Sequence, residues 1–119
     1  MAPLAAVMVT PDEVGDPARL QIVGRVNGEE RQNYSLSEAV FGVAECIEYV
    51  SARMTLHAGD MIAMGTGLGC GILEVRWAPR LLNDGDVVEC EIVGYAGCKN
   101  KFRIAGWKSE KTALAAAGS

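Results

Sequence analysis

Met64-Gly65-Thr66-Gly67-Leu68-Gly69-Cys70-Gly71 sets a glycine at every second position, directly behind the apolar run Met61-Ile62-Ala63. Glycine tolerates positive φ and lets backbone N–H groups come close to a ligand, so the run reads as a tight loop leaving a strand. Two readings stay open from these residues alone. One is a plain structural glycine loop, and the other is a loop that binds a carboxylate, with Thr66 adding a hydroxyl. A dinucleotide fingerprint does not fit, because Cys70 stands at the third required glycine of Gly65-x-Gly67-x-x-Cys70 and no long helix follows. A Walker A loop is excluded by the missing Gly-Lys-Ser/Thr ending.

Working outward, Leu56-His57-Ala58-Gly59-Asp60 precedes Met61-Ile62-Ala63-Met64, and Leu82-Asn83-Asp84-Gly85-Asp86 precedes Val87-Val88-Glu89-Cys90-Glu91-Ile92-Val93. In both, Gly supplies a tight turn, Asp can accept from neighbouring backbone donors, and an apolar strand is expected at once. Upstream, residues 20–26 partly alternate and lead into Asn27-Gly28, the pair suited to a type I′ turn, so a hairpin through about Tyr34 is expected. Ser35-Leu36-Ser37-Glu38 has capping-box spacing, which predicts a helix over about 36–53. Val40, Val43, Ile47 and Val50 form its apolar stripe, facing a sheet, with Glu45, Glu48 and Arg53 opposite. A last strand over about 98–104 is expected to pair with 87–93 through a turn at 94–97.

The resulting fold class is α+β and β-rich, with one main helix. Residues 1–17 read as an N-terminal arm and an irregular connection, since 10–17 are dense in turn formers. Residues 18–108 read as one domain and 109–119 as a small, alanine-rich flexible tail. The 119-residue length suits a single domain.

A formal charge of −4 disfavours phosphate-tracking partners, and 6% aromatics leaves little for base stacking, so no nucleic-acid partner is expected. Lys99, Lys101 and Arg103 alternate on one expected strand face and read as an exposed face whose charges discourage edge-to-edge pairing, with a ligand patch as the other reading. Four cysteines without a C-x-x-C pair and a single His, His57, argue against structural zinc. No basic leader or membrane-length apolar run is present, and the free thiols fit a reducing cytoplasm.

Taken in order, Val26-Asn27-Gly28-Glu29, Ser51 near Thr55-Leu56, Gly59-Asp60-x-Ile62 running into Gly65-Thr66-Gly67, Leu82-x-x-Gly85-Asp86-Val87-Val88-Glu89, and Gly94 to Asn100 resemble the C-terminal half of the fumarylacetoacetate hydrolase family catalytic domain. The resemblance covers about residues 3–102. It implies a β-rich mixed fold, usually dimeric, that hydrolyses C–C bonds, decarboxylates or isomerises acylpyruvate-like acids with a divalent metal.

Carried over residue by residue, the resemblance makes Gly65, Thr66 and Gly67 the substrate-binding loop, in which Thr66 matches a hydroxyl that contacts a substrate carboxylate. Met64 replaces the loop's first hydroxyl, and Gly67 its frequent proline. Ile72-Leu73-Glu74-Val75-Arg76-Trp77 is similar to the L-E-x-x-W stretch of the fumarylacetoacetase branch, which makes Glu74 the candidate catalytic carboxylate, orienting an imidazole. An exposed strand carboxylate is the other reading of Glu74. The family's E-x-E pair, following Asp, Lys and His lie upstream of the matched segment. No cofactor is therefore expected on this chain alone, and Mg or Ca enters only if a partner segment supplies the carboxylates. Glu89-x-Glu91 shares one strand face but falls in a late strand, and reads as solvated rather than metal-binding.

The function expected is part of an enzyme acting on acylpyruvate-type or 2-oxo acid substrates. Its partners would be a small carboxylic acid and either a second copy or a complementary subunit. The alternative is a non-catalytic binding or assembly module that keeps the fold.

Overall fold

In the computed structural model, residues 3–71 and 81–104 are described. The centre is the hairpin expected at Asn27-Gly28: strands β1, Gln21–Val26, and β2, Glu29–Ser35, are joined by Asn27 at φ 53° and Gly28 at φ 82°. Positive φ at both central positions is the type I′ geometry whose twist matches the flanking strands. A bulge lies between Gly24 and Arg25, because Gly24 pairs with Gln32 while Arg25 pairs with Glu30, leaving Arg31 as the extra residue. Strands β3, Val87–Ile92, and β4, Ala96–Lys101, complete an antiparallel sheet in the order β2-β1-β3-β4. One register row crosses it from Gln32 through Gly24 and Cys90 to Cys98.

The last strand begins and ends earlier than the 98–104 expectation. Gly94 takes φ 83° and Tyr95 N–H donates to Ile92 O at 3.0 Å, closing a turn short enough to free Ala96 for pairing. On the opposite end Phe102 N–H reaches Asp86 O at 2.7 Å, after which the chain leaves the sheet. Lys99 sits 2.7 Å from Glu89 and Arg103 lies 3.7 Å from Asp84, so two of the three late basic residues are in surface ion pairs.

The helix expected over 36–53 is broken. Ser35 and Glu38 do cap a turn, with Ser35 N–H donating to Glu38 Oε1 at 3.1 Å and Ser37 N–H to Ser35 Oγ at 3.3 Å, but that turn is the single 3-10 turn Leu36–Glu38. Ala39 then extends (ψ 136°), and a true helix begins only at Val43, where Gly42 N–H donates to Glu45 Oε2 at 2.7 Å. β-branched Val40 and Gly42 are both poor helix formers, and Glu45 offers a competing start with its own carboxylate. The irregular connection at 10–17 contains a one-turn helix, α1, Pro11–Val14, because Pro11 is preorganised for the first helical position. The main helix is accordingly α2, Val43–Ser51.

Two further expectations change. Residues 61–64 are not in a strand, and β1 is flanked by β2 and β3 instead. Nor does the apolar stripe bury itself on the sheet: Val40 is 88% and Ile47 46% exposed. Among the described residues Val23, in the middle of β1, is the one buried hydrophobic side chain, while Phe41, Met54, Met61, Leu68, Val93 and Tyr95 are exposed. The α+β class holds: a four-stranded antiparallel sheet with one main helix. No described helix is long and apolar enough to cross a membrane.

Candidate functional site

The glycine loop is seated on strand β2, and its glycines are what allow the seating. Gly69 has φ 87°, and a Cβ there would fall on the backbone carbonyl oxygen of Arg31. At Gly67 a Cβ would enter the ring of Tyr34. Gly65, at φ 92°, faces open space, so it is needed for backbone conformation alone. The two readings of the run thus meet: glycine at 67 and 69 is structural, and the consequence is a loop pressed against β2 with Thr66 exposed on it.

Thr66 is held by a residue that pattern reading did not single out. Gln32 Nε2 donates to Thr66 Oγ1 at 2.8 Å and also lies 3.1 Å from Gly67 O and 3.3 Å from Leu68 O. One side-chain amide therefore ties three consecutive loop residues to the sheet. No periodicity marks Gln32, since an isolated Gln on an edge strand looks like any exposed polar residue. Its place opposite Gly24 is not readable from the turn either, since an uninterrupted Asn27-Gly28 hairpin would pair Gly24 with Arg31 and only the bulge brings Gln32 there, where a missing side chain leaves room for a long one: a Cβ on Gly24 would come within 3.2 Å of Gln32 Cβ and Oε1.

Met64, standing where a hydroxyl was expected from the resemblance, turns to a different environment. It lines a cleft of about 450 Å³ with Pro17, Leu36, Val43 and Ile47, so these two α2 residues, Val43 and Ile47, face this cleft instead of the sheet. A second cleft of about 420 Å³ runs along the β3–β4 hairpin beside Arg25, Glu89, Glu91 and Lys99. Thr66 lines neither cleft.

Glu74 and the surrounding Leu73 to Trp77 lie outside the described residues, as does the 109–119 tail. Glu89 and Glu91 do share a strand face, yet each carboxylate is engaged by a cation, Lys99 at 2.7 Å and Arg25 at 2.8 Å. Among the described residues no group of three His, Cys, Asp or Glu side chains could hold a metal ion, so this donor set does not fit the divalent metal that the resemblance implies. His57 is in a surface turn, with its backbone N–H donating to Asp60 Oδ2 at 2.8 Å and its ring mostly exposed. The four thiols are free.

Comparison with known proteins gives these features a frame. The profile for fumarylacetoacetate (FAA) hydrolase C-terminal matches residues 1–103. Over 90 residues the chain is 44% identical to the mitochondrial oxaloacetate tautomerase FAHD2A of Bos taurus and 41% identical to the oxaloacetate tautomerase YisK of Bacillus subtilis, covering 76% of this chain in both cases. It spans only 28% and 29% of the length of those relatives. Among solved structures it resembles the fumarylacetoacetate hydrolase of psychrophilic Exiguobacterium antarcticum, with TM-score 0.72 and 40% identity over 85% of this chain and 35% of that one. A 2-hydroxyhepta-2,4-diene-1,7-dioate isomerase from Mycobacterium marinum superposes with TM-score 0.67 and 32% identity, over 80% of this chain and 34% of its own. With the profile matched across residues 1–103 and a fold that superposes on these structures over most of the chain, the chain belongs to the fumarylacetoacetate hydrolase family, in the C-terminal part of its catalytic domain.

Proposed function

We propose that this chain is part of a fumarylacetoacetate hydrolase-like enzyme acting on acylpyruvate-type or 2-oxo acid substrates. Within that enzyme it supplies the loop that holds a substrate carboxylate. Relatives named as oxaloacetate tautomerases and a structural neighbour named as a dienedioate isomerase support a small 2-oxo or 2-hydroxy dicarboxylic acid. The observation that carries the reading is Thr66, an exposed loop hydroxyl fixed in place from the sheet by Gln32. A preorganised donor of this kind orients an anionic substrate without a reorganisation cost at the moment of reaction.

The chemistry of such enzymes calls for a divalent metal to polarise the 2-oxo group, and the described residues do not provide its ligands. In this reading the metal-binding carboxylates come from another chain or segment. Glu74 is proposed to orient that segment's catalytic imidazole. The uncovered apolar surface is the second support, since a sheet with one buried hydrophobic side chain among the described residues is built to receive another layer.

The test is co-expression with a segment bearing an E-x-E pair, Asp, Lys and His, followed by Mg²⁺-dependent assays for oxaloacetate tautomerisation and acylpyruvate hydrolysis. Activity is expected only from the assembled protein, with a raised KM in Thr66→Ala. Tight Mg²⁺ binding and turnover by the chain alone would overturn this assignment. A non-catalytic assembly module is the second reading, favoured by Met64 lying in an apolar cleft where the family loop carries a hydroxyl. That reading expects assembly without turnover, unchanged by Thr66→Ala or Glu74→Gln.

A further inference from the structure

We infer that Gln32 is a positioning residue that fixes the direction of the Thr66 hydroxyl, so that its proton points away from the sheet toward an anionic ligand. The inference rests on the carboxylate-binding role proposed for Thr66 and deepens it.

The argument is one of donor and acceptor capacity. Around one terminal atom of the Gln32 amide stand Thr66 Oγ1 at 2.8 Å, Gly67 O at 3.1 Å and Leu68 O at 3.3 Å. Two of these are backbone carbonyls, which can only accept. The amide must therefore present its NH₂ group there, because the flipped orientation would set its own carbonyl oxygen against two others. Once the NH₂ is fixed, the Thr66 oxygen is the acceptor of that contact. A hydroxyl has one proton to donate, and here Gln32 cannot receive it. The proton is left for a partner on the other side of Thr66, where the loop is exposed.

The amide is itself held in place. Gly24, its register partner on β1, leaves the space across which the Gln32 side chain lies, and any Cβ there would be 3.2 Å from both its Cβ and its Oε1. The loop cannot drift from the amide, since Gly69 rests on the Arg31 carbonyl and Gly67 on the Tyr34 ring. Residues 31, 32 and 34 of one strand thus seat three consecutive contacts of one loop.

Gln32→Glu is the diagnostic change, being nearly isosteric with opposite hydrogen-bonding capacity. The ionised carboxylate can only accept, so it would take the Thr66 proton and repel the carbonyls of Gly67 and Leu68. The full chain is titrated with pyruvate, as a 2-oxo acid probe, by NMR of the residue 66 backbone amide in wild type, Gln32→Glu, Thr66→Ala and the double variant. A hydrogen bond to a charged group corresponds to about tenfold or more in affinity, so Thr66→Ala and Gln32→Glu are each expected to weaken pyruvate by at least about that factor. The double variant is expected to be no weaker than Thr66→Ala alone. Lowering the pH to protonate the introduced carboxylate is expected to restore part of the affinity in Gln32→Glu and none in Thr66→Ala.

Protection of the Gln32 side-chain amide from solvent exchange is expected in the free wild-type chain, and amide protection across β1 and β2 in every variant confirms that the sheet has formed. If Thr66→Ala binds pyruvate as wild type does, the carboxylate role of Thr66 fails and this inference with it. Weakening by Thr66→Ala but not by Gln32→Glu leaves the carboxylate role standing and overturns the role of Gln32. Equal weakening by Gln32→Glu in the presence and absence of the Thr66 hydroxyl also overturns it, as does a Gln32 amide that exchanges freely.

Discussion

Asn27 and Asp86 join the tip of the β1–β2 hairpin to the start of β3: Asn27 Nδ2 donates to Asp86 Oδ1 at 2.9 Å, while Asn27 Oδ1 accepts from Val87 N–H at 2.9 Å. Asn27 N–H adds a backbone bond to Val87 O at 2.8 Å. The same residue holds φ 53°, which Asn tolerates better than other side chains. Two demands meet at this position and can be separated by substitution. Asn27→Gly keeps the backbone conformation and loses the side-chain bonds, whereas Asn27→Ala loses both. Asn27→Ala is expected to be the more destabilising by about 1 kcal/mol, the cost of left-handed backbone for a residue with a Cβ. Amide exchange across β1 and β3 measures the difference, and equal exchange in the two variants would show that the turn conformation contributes nothing.

Asp86 links that junction to pH. Its carboxyl is held below the usual aspartate value, first by the bond from Asn27 and then by the backbone N–H of Asn83, which donates to Oδ2 at 2.8 Å. A depressed pKa in the fold means that stabilisation is present above the unfolded-state value and is lost as pH falls through the lower folded value. Acid is therefore expected to loosen the 83–87 corner, and Asn27→Gly should bring the Asp86 titration midpoint up toward the ordinary aspartate value. Side-chain carboxyl NMR through the acid range reads both effects, and a midpoint unchanged by Asn27→Gly contradicts the stated cause.

How much of this was legible in the sequence depended on whether the deciding interaction was local. Asn27-Gly28 specifies its own turn, and the hairpin followed. Ser35 and Glu38 likewise made the expected cap, but a cap starts a helix without fixing its length, and Ala39 to Gly42 interrupt it. Of the stripe Val40, Val43, Ile47 and Val50, Val43 and Ile47 line the Met64 cleft while Val40 falls before the helix and is exposed, because periodicity marks a helix face without naming what covers it. At the site, the loop and Thr66 were visible as a glycine pattern, whereas Gln32 was not, because its partner is 34 positions away and only the register brings them together.

The loop's seating predicts an order among its glycines. Gly69→Ala meets positive φ and the backbone carbonyl of Arg31, which cannot rotate away. Gly67→Ala meets only the Tyr34 ring, a side chain that can move, and Gly65→Ala meets strain without a clash. Left-handed backbone at a non-glycine residue costs roughly 1–3 kcal/mol, so Gly69→Ala should disturb the loop most, with the clash added to that cost. Exchange of the Gln32 side-chain amide is the local readout. Retained protection in Gly69→Ala would show that the loop does not rest on β2.

Cys90 offers a test of the sheet register. Its Cα partner is Cys98, and partial desolvation, followed by the neighbouring Cys98, pushes its thiol above the ordinary value. Because the folded pKa is raised, the neutral thiol is favoured in the fold, and its contribution to stability is lost as pH rises from the unfolded value through the folded one. Alkylation of Cys90 by iodoacetamide is expected to reach half its maximal rate at a higher pH than for a model thiol. Desolvation being the larger cause, Cys98→Ser should lower that midpoint only in part. A midpoint at or below the ordinary thiol value would contradict the packing of this row.

The apolar surface leads to the last prediction, which concerns what the chain does alone. Val23 is buried to 4% exposure at the middle of the sheet, while Phe41 at 66%, Met61 at 69% and Leu68 at 83% remain in contact with water. Large exposed side chains at this density are unusual for a solitary domain and drive association when nothing covers them. The purified chain is expected to bind a dye such as ANS and to elute in gel filtration as an oligomer whose size falls with dilution. Adding the complementary segment should abolish dye binding and give one stoichiometric complex, because the segment removes the same surface from water. Phe41→Ser and Leu68→Ser separate the contributions of the two regions: a change that weakens the complex marks surface covered by the segment, and one that alters self-association alone marks surface between copies. A monomeric chain with no dye binding would mean that these side chains are covered from within, and the proposal of a missing layer would fall.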